Sequence, residues 1–320
     1  MPPLEWAATA PDPPAALRAI AGVLGVGFGL KEVGGALTPV PAWRVYVGHK
    51  RPRRGLPASE LVPASLDGVA TDVVEKLTTT ATSGAAPASF GAAIANARGV
   101  PGTAGLLAWM VDIDEPVLLT NHHVLFGAGA ARHEAVWLVD GPRAMPTFRR
   151  VGRSLYGTLG VVAHDTFEYH VDCAVGSIDG DEALRRGWHG DVEVAVAEPG
   201  ARVRKVGAAT GLTDGIVVDV AYPDALLVDG HAQPAPRQIL VSPLRPAARF
   251  SAEGDSGAGL RNAGGATVGL VWGCNHRGET VACHIAPVLS VLGVRPARRV
   301  PARSPRRRTR WARLATRAGR

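Results

Sequence analysis

From Gly102 onward, apolar and polar residues alternate in many short runs separated by turn residues. These runs are "GLLAWMVD", "PVLLTN", "AVWLVD", "DCAVGSI", "VEVAVAE", "ARVRKVG", "GIVVDV", "ALLVDG", "QILVSPL", "ATVGLVWG" and "TVACHIA". Strands at that spacing, with almost no helix-length amphipathic pattern between them, predict a mainly β protein built of antiparallel barrels or sandwiches. One short helix, "APVLSVLGV", closes the region. Residues 14–80 carry a different pattern, a helix-like "PAALRAI" and then the strand-like runs "VLGVGFGL", "AWRVYVGHK" and "GVATDVVEKL", as expected of a small α/β domain. Between the two regions, "TTTATSGAAPASFGAAIANARGVPG" is rich in small residues and lacks sustained periodicity, so it reads as a linker and lead-in. The expected order is an extension at 1–13, the small domain at 14–80, the β domain at 81–294 and a tail at 295–320.

Charge separates the tail from the body. Of the formal +7, the segment 295–320 supplies eleven arginines and no acids, which leaves −4 on the rest. A disordered, solvated end is the expectation for such a tail, with an acidic partner, nucleic acid or an anionic membrane as the partners it would attract by charge. "MPPLEWAATAPDPP" has no basic leader and no run is long enough to span a bilayer, so the expected location is cytoplasmic. Three cysteines, Cys173, Cys274 and Cys283, are too few for a disulfide scaffold. In a hairpin turning near Gly278, Cys274 and Cys283 are expected to face each other, as packed thiols in the cytoplasm or as a disulfide in an oxidising compartment, with packed thiols the favoured reading. "CNHRGETVACH" has zinc-like composition, but adjacent Cys283 and His284 point to opposite faces of a strand, so no metal is expected.

The chemistry concentrates in three blocks. "SAEGDSGAGL" sets Asp255 and Ser256 between glycines, as in a tight turn that displays a hydroxyl. A serine is a poor nucleophile unless a histidine takes its proton and an acid orients that histidine. "LLTNHHVLFG" places His122 and His123 just after a strand, and "YHVDCAVGSI" places Asp172 where an acid entering a core needs a hydrogen-bonding partner.

In that order the three blocks resemble those of trypsin-like serine peptidases of the bacterial type, whose fold is two antiparallel β-barrels. The Thr-Asn-x-His-Val form of the first block selects His123 over His122. The resemblance implies Ser256 as nucleophile, His123 as general base and acid, Asp172 as its orienting carboxylate, and the amides of Gly254 and Ser256 as the oxyanion hole. It implies a protein or peptide substrate and no cofactor. Val271 and Gly273 would offer main-chain groups to that substrate, Val271 standing where the family often has a serine supporting the acid. Phe250, six residues before Ser256, would floor the specificity pocket and favour apolar or small side chains. No Ile-Val-Gly-Gly run precedes this barrel, so Asp255 needs a partner other than a freed amino terminus. His122 and His170 are expected to be surface or hydrogen-bonded histidines, and Cys173 a buried small hydrophobe. The N-terminal runs and "KVGAATGLTDGIV" are also similar to a bacterial and plant group that includes the rice narrow-leaf protein. A catalytically silent peptide-binding module and a nucleic-acid-associated protein acting through the tail are the rival readings.

Overall fold

The computed structural model describes residues 11–76, 79–81, 91–140, 146–179, 192–228, 231–245, 248–275 and 277–296. The extension to residue 10 and all of the tail beyond Pro296 lie outside the described residues. The chain begins with a single helical turn, α1 (Ala15–Arg18), shorter than "PAALRAI" suggests because Gly22, at φ 81°, soon turns it into a strand. That strand, β1 (Val23–Val33), forms a hairpin with β2 (Ala36–Val47). Two further strands follow, β3 (Ser65–Leu66) and β4 (Val69–Glu75), the latter parallel to β2.

The segment read as a linker contains three short strands: β5 (Thr79–Ala81), β6 (Ala93–Ala95) and β7 (Pro101–Thr103). Alanine and glycine carry little strand propensity, so pattern alone misses them. Burial decides instead, since Ala93, Ile94 and Ala95 are all buried. After them come β8 (Leu106–Met110), β9 (Pro116–Thr120), α2 (His122–Phe126), β10 (Ala135–Asp140), β11 (Thr147–His164) and β12 (Phe167–Ser177). β11, absent from the apolar runs, is largely half-exposed and carries arginines at its start. The remaining elements are β13 (Arg202–Gly207), β14 (Gly211–Val228), β15 (His231–Pro243), β16 (Gly259–Asn262), β17 (Thr267–Asn275), β18 (Thr280–His284), α3 (Ile285–Leu292) and β19 (Val294–Pro296). "GIVVDV" and "ALLVDG" are one strand, β14, bent by register shifts at Asp219 and Tyr222. "VEVAVAE" is not a strand; only Val194 bridges to Thr267.

Six strands in the order β13-β16-β17-β18-β15-β14 close on themselves through β13 and β14. A closed barrel leaves no free edge around its waist. The second sheet runs β19-β8-β9-β12-β11-β10-β6-β7. The two meet over a shared core in which Leu119, Val171, Cys173 and Val175 face Leu240, Leu270, Trp272 and Cys283, with α3 covering one end. Among the described residues no helix is long and apolar enough to cross a membrane.

The small N-terminal unit is continuous with the barrel. β1 lies against β14, with Gly29 opposite Asp219, and β2, β4 and β3 extend the same sheet. Gly27 and Gly29 make this contact: a Cβ at Gly27 would collide with the Asp219 carboxylate and one at Gly29 with the Val218 carbonyl. Asp219, fully buried, accepts from Phe28 N (3.0 Å), Ala221 N (2.8 Å) and Tyr46 Oη (2.6 Å) and lies 3.9 Å from the Arg44 guanidinium. Burying a carboxylate is tolerable only with such a set of donors.

Candidate active site

The imidazole comes from the junction of β9 and α2. β9 delivers Thr120 and Asn121, both fully buried, and α2 starts at once. Asn121 does not cap the helix with its side chain; its Nδ2 donates to Asp172 O at 2.6 Å, which ties β9 to β12 at the acid. Two residues on, His123 Nδ1 meets Asp172 Oδ2 at 2.5 Å, while the His123 amide donates to Asp172 Oδ1 at 3.2 Å. Both carboxylate oxygens are thereby engaged by one residue, which fixes the ring against the acid. The Asp172 side chain is fully buried and the His123 side chain 24% exposed.

Electrostatics follow from that geometry. Burial disfavours the imidazolium, but the adjoining Asp172 charge and its hydrogen bond outweigh it and raise His123 above the ordinary 6.5. Burial alone would also raise Asp172, yet the charge and hydrogen bonds of His123 hold the acid below its ordinary 3.8. His122, half-buried beside the Phe126 ring, is lowered by burial against the opposing pull of Asp172. His170 is neither at the surface nor hydrogen-bonded as expected. It is 1% exposed, its ring lies 6.0 Å from that of Trp272, and neither ring nitrogen has a hydrogen-bond partner among the described residues. Burial lowers it against the opposing pull of Asp172.

The serine stands on the turn between Phe250 and β16. Gly254 and Gly257 have φ of 108° and 93°, values that side chains with a Cβ resist, and a Cβ on Gly257 would strike Thr120 and Thr103. The turn bonds Asp255 N to Ala252 O and Ala258 N to Asp255 O. It is held to the other sheet by Thr103, whose amide donates to Ser256 O at 2.7 Å and whose hydroxyl donates to Gly254 O at 2.6 Å. A Cβ at neighbouring Gly102 would touch both the Val124 side chain on α2 and Ser256 O, so a single glycine separates the histidine's helix from the serine. All three predicted residues therefore converge on the seam between the barrel and the second sheet. The Ser256 hydroxyl donates to Trp272 O at 3.1 Å, and His123 Nε2 has no hydrogen-bond partner among the described residues.

Sequence reasoning missed the group that anchors the turn. Lys205 Nζ lies 3.0 Å from Asp255 Oδ2 with both side chains fully buried. Asp255 also accepts from Ala209 N, Thr210 N, Thr210 Oγ1 and Ala252 N. The partner that Asp255 required is thus an internal ammonium. Burial lowers Lys205 from the ordinary lysine range and Asp255 opposes that shift. Phe250 is fully buried, 5.8 Å from the Lys205 ammonium, and packed where a Cβ on Gly215 would meet it. Val271 lies in the barrel core, and Gly273 is on the β17 edge. Trp272 is fixed from below by Nε1 donating to Gln238 Oε1 (2.8 Å), whose Nε2 donates to His170 O (3.0 Å).

Cys274 and Cys283 do not face each other. The hairpin pairs Cys274 with Thr280 and Cys283 with Leu270, because its turn spans only Asn275 to Glu279. Cys283 sits instead under the site, its sulfur accepting from Asp172 N at 3.3 Å. All three cysteines are buried and none forms a disulfide. His276 lies outside the described residues.

A closed six-stranded antiparallel barrel joined along a seam to a second antiparallel sheet is the architecture of the trypsin-like fold. No family model matches the chain and no curated protein matches its sequence. Among solved structures it is similar to a glutamic acid specific serine protease, at 19% identity over 65% of this chain and 98% of the other, with a TM-score of 0.45. A Nocardiopsis protease matches at 16% identity over 65% and 97%, TM-score 0.40. Protease A of Thermobifida fusca matches at 15% identity over 65% and 96%, TM-score 0.42.

Proposed function

We propose that this protein is a serine endopeptidase acting through Ser256, His123 and Asp172. The observation that supports the reading is the doubly bonded His123–Asp172 pair, on the sheet that Thr103 ties to the nucleophile turn. Ser256 attacks the scissile carbonyl as His123 Nε2 takes its proton, and the proton then passes to the leaving amine. Asp172 holds the Nδ1–H tautomer and stabilises the imidazolium. The amides of Gly254 and Ser256 receive the developing oxyanion, each such donor being worth about 3–4 kcal/mol in the transition state. Gly273 pairs with the substrate main chain, whereas Val271, expected to share that role, has its amide and carbonyl already bonded to Ala258 and Gly257 of the nucleophile turn; the Phe250 region favours apolar or small side chains. For the attack the Ser256 hydroxyl turns from Trp272 O to His123 Nε2.

A fluorophosphonate probe tests this directly. The wild-type chain should be labelled, with Ser256→Ala unlabelled and His123→Ala slowed by three orders of magnitude or more. Equal labelling of wild type and Ser256→Ala ends the proposal. Cleavage after arginine but never after apolar residues ends the specificity part of it.

A further inference from the structure

One edge of β17 is divided between two tenants. At Val271 it belongs to the nucleophile turn: Gly257 N donates to Val271 O at 2.8 Å and Val271 N to Ala258 O at 2.9 Å. One residue further, Trp272 O accepts from the Ser256 hydroxyl. Beyond it the edge is taken by β5, with Ala81 opposite Gly273, Thr80 opposite Cys274 and Thr79 opposite Asn275. β18 holds the other edge of the same residues, Gly273 against Val281 and Cys274 against Thr280. β5 is antiparallel to β17, so the chain runs toward the nucleophile, and among the described residues its pairing reaches Gly273, one residue short of the carbonyl that holds the serine hydroxyl.

We infer that residues 79–81 are a built-in occupant of the substrate-strand position, so that the protein holds itself in a self-inhibited state which a peptide substrate relieves by displacing β5. The inference rests on the peptidase reading above. A peptide recognised by strand addition binds through main-chain hydrogen bonds to a free edge, and an edge accepts one strand at a time. β5 makes the same kind of contact, at the main chain of Gly273, that an incoming peptide requires. Three pairs form a weak hold, suited to a reversible plug. The occupant belongs to the chain itself and follows directly on β4, so its effective concentration at the edge is high.

The test uses the full chain and two variants, Thr80→Pro and Ala81→Pro. In an antiparallel ladder, alternate residues carry the hydrogen bonds, so one of these two prolines must delete a bond to β17 whichever phase the ladder has. The readouts are kcat/KM on a peptide substrate with an apolar residue before the scissile bond, the fluorophosphonate labelling rate, and the thermal midpoint. At least one proline variant should gain about tenfold in kcat/KM, mainly through KM, with labelling within threefold of wild type. A synthetic peptide of residues 74–88 should then inhibit that variant competitively. A third measurement needs no variant: hydrogen exchange at residues 79–81 of the wild type should speed up when a peptidyl boronate occupies the site, while β2 and β4 keep their protection. Unchanged kcat/KM in both folded variants, or unchanged exchange at 79–81 with the boronate bound, overturns the inference and leaves the labelling result standing. Failure to label any chain removes the peptidase reading and this inference together.

Discussion

Replacing Lys205 by methionine tests whether the buried ammonium shapes the nucleophile turn. Lys205 and Asp255 are both fully enclosed and 3.0 Å apart, so the substitution leaves a carboxylate in the barrel wall without its cation. Removing one partner of a buried pair costs about 3–5 kcal/mol. Asp255 keeps four neutral donors, at 2.8 Å (Ala209 N), 3.2 Å (Thr210 N), 2.6 Å (Thr210 Oγ1) and 3.0 Å (Ala252 N). A hydrogen bond to a charged group is worth about 1.5–3 kcal/mol, so these donors retain much of the charge's stabilisation and place the loss near the low end, about 3 kcal/mol. Thr210 is weakened too, because its hydroxyl accepts from Lys205 while donating to Asp255. The function should suffer more than the fold. Asp255 precedes Ser256, and its tie to Ala252 N closes the turn whose amides are proposed to receive the oxyanion. Loss of one well-placed oxyanion donor lowers kcat by about 10²–10³. Urea unfolding followed by Trp fluorescence and the fluorophosphonate labelling rate should therefore show Lys205→Met destabilised by about 3 kcal/mol and labelled about a hundredfold more slowly. Pairing it with Asp255→Asn should recover part of the stability, since no unpaired charge remains, but not the labelling. Stability within 1 kcal/mol of wild type together with unchanged labelling would refute the reasoning.

Other expectations follow from the same geometry. Since His123 is raised above 6.5, the acid limb of the kcat/KM profile should have its midpoint above that value, and Asp172→Asn should lower the activity by about four orders of magnitude. For stability the signs differ: the raised His123 contributes fully below its unfolded value near 6.5 and loses that contribution as pH rises through its folded value. The lowered Asp172 contributes above 3.8 and loses it as pH falls, so urea midpoints should fall on both sides of that window. Gly29→Ala drives a methyl into the Val218 carbonyl and should cost about 1–3 kcal/mol by urea unfolding; a neutral result would show that β1 does not press on β14 as described. Burial raises the Cys283 thiol well above its ordinary 9.0, so an aromatic disulfide reagent at pH 8 should reach Cys274 first and Cys173 and Cys283 only on unfolding.

The parts of this molecule that are local in sequence were legible there. A glycine-flanked Asp-Ser, a histidine three residues past a strand and an acid inside an apolar strand each declare a local constraint, although Asp172, read as opening its strand, is the sixth residue of β12. Lys205 declared one as well. "ARVRKVG" alternates exposed and buried along β13, and that alternation turns Lys205 inward beside Val203. An inward lysine requires an acid, but its partner lies fifty residues on, beyond any local pattern. The cysteine register failed by hairpin geometry, as the five-residue turn from Asn275 to Glu279 offsets the two strands. β5 was illegible for a different reason: Thr79, Thr80 and Ala81 become a strand only because β17 offers them an edge.

How β5 leaves that edge is constrained by what holds the unit before it. The N-terminal strands do not dock on the barrel as a separable cap. β1 continues the barrel's sheet at Gly29 and Asp219, Tyr46 and Arg44 converge on the same buried carboxylate, and Phe28, Trp43 and Val45 share the barrel core. Withdrawing the unit would take the Phe28, Tyr46 and Arg44 partners from Asp219 and leave it the Ala221 amide, at a cost of several kcal/mol. β5 is held by three residue pairs, and with about 1 kcal/mol net per hydrogen bond its release costs only about 2–3 kcal/mol. The cheaper motion wins: the plug peels from Gly273 to Asn275 while the unit stays in place. Substitutions at the Asp219 network should therefore lower the melting temperature without opening the cleft, and substitutions in β5 should open the cleft with little change in melting. If Tyr46→Phe instead raised peptide turnover as much as the proline variants do, release would proceed through the unit and this ordering of the two motions would be wrong.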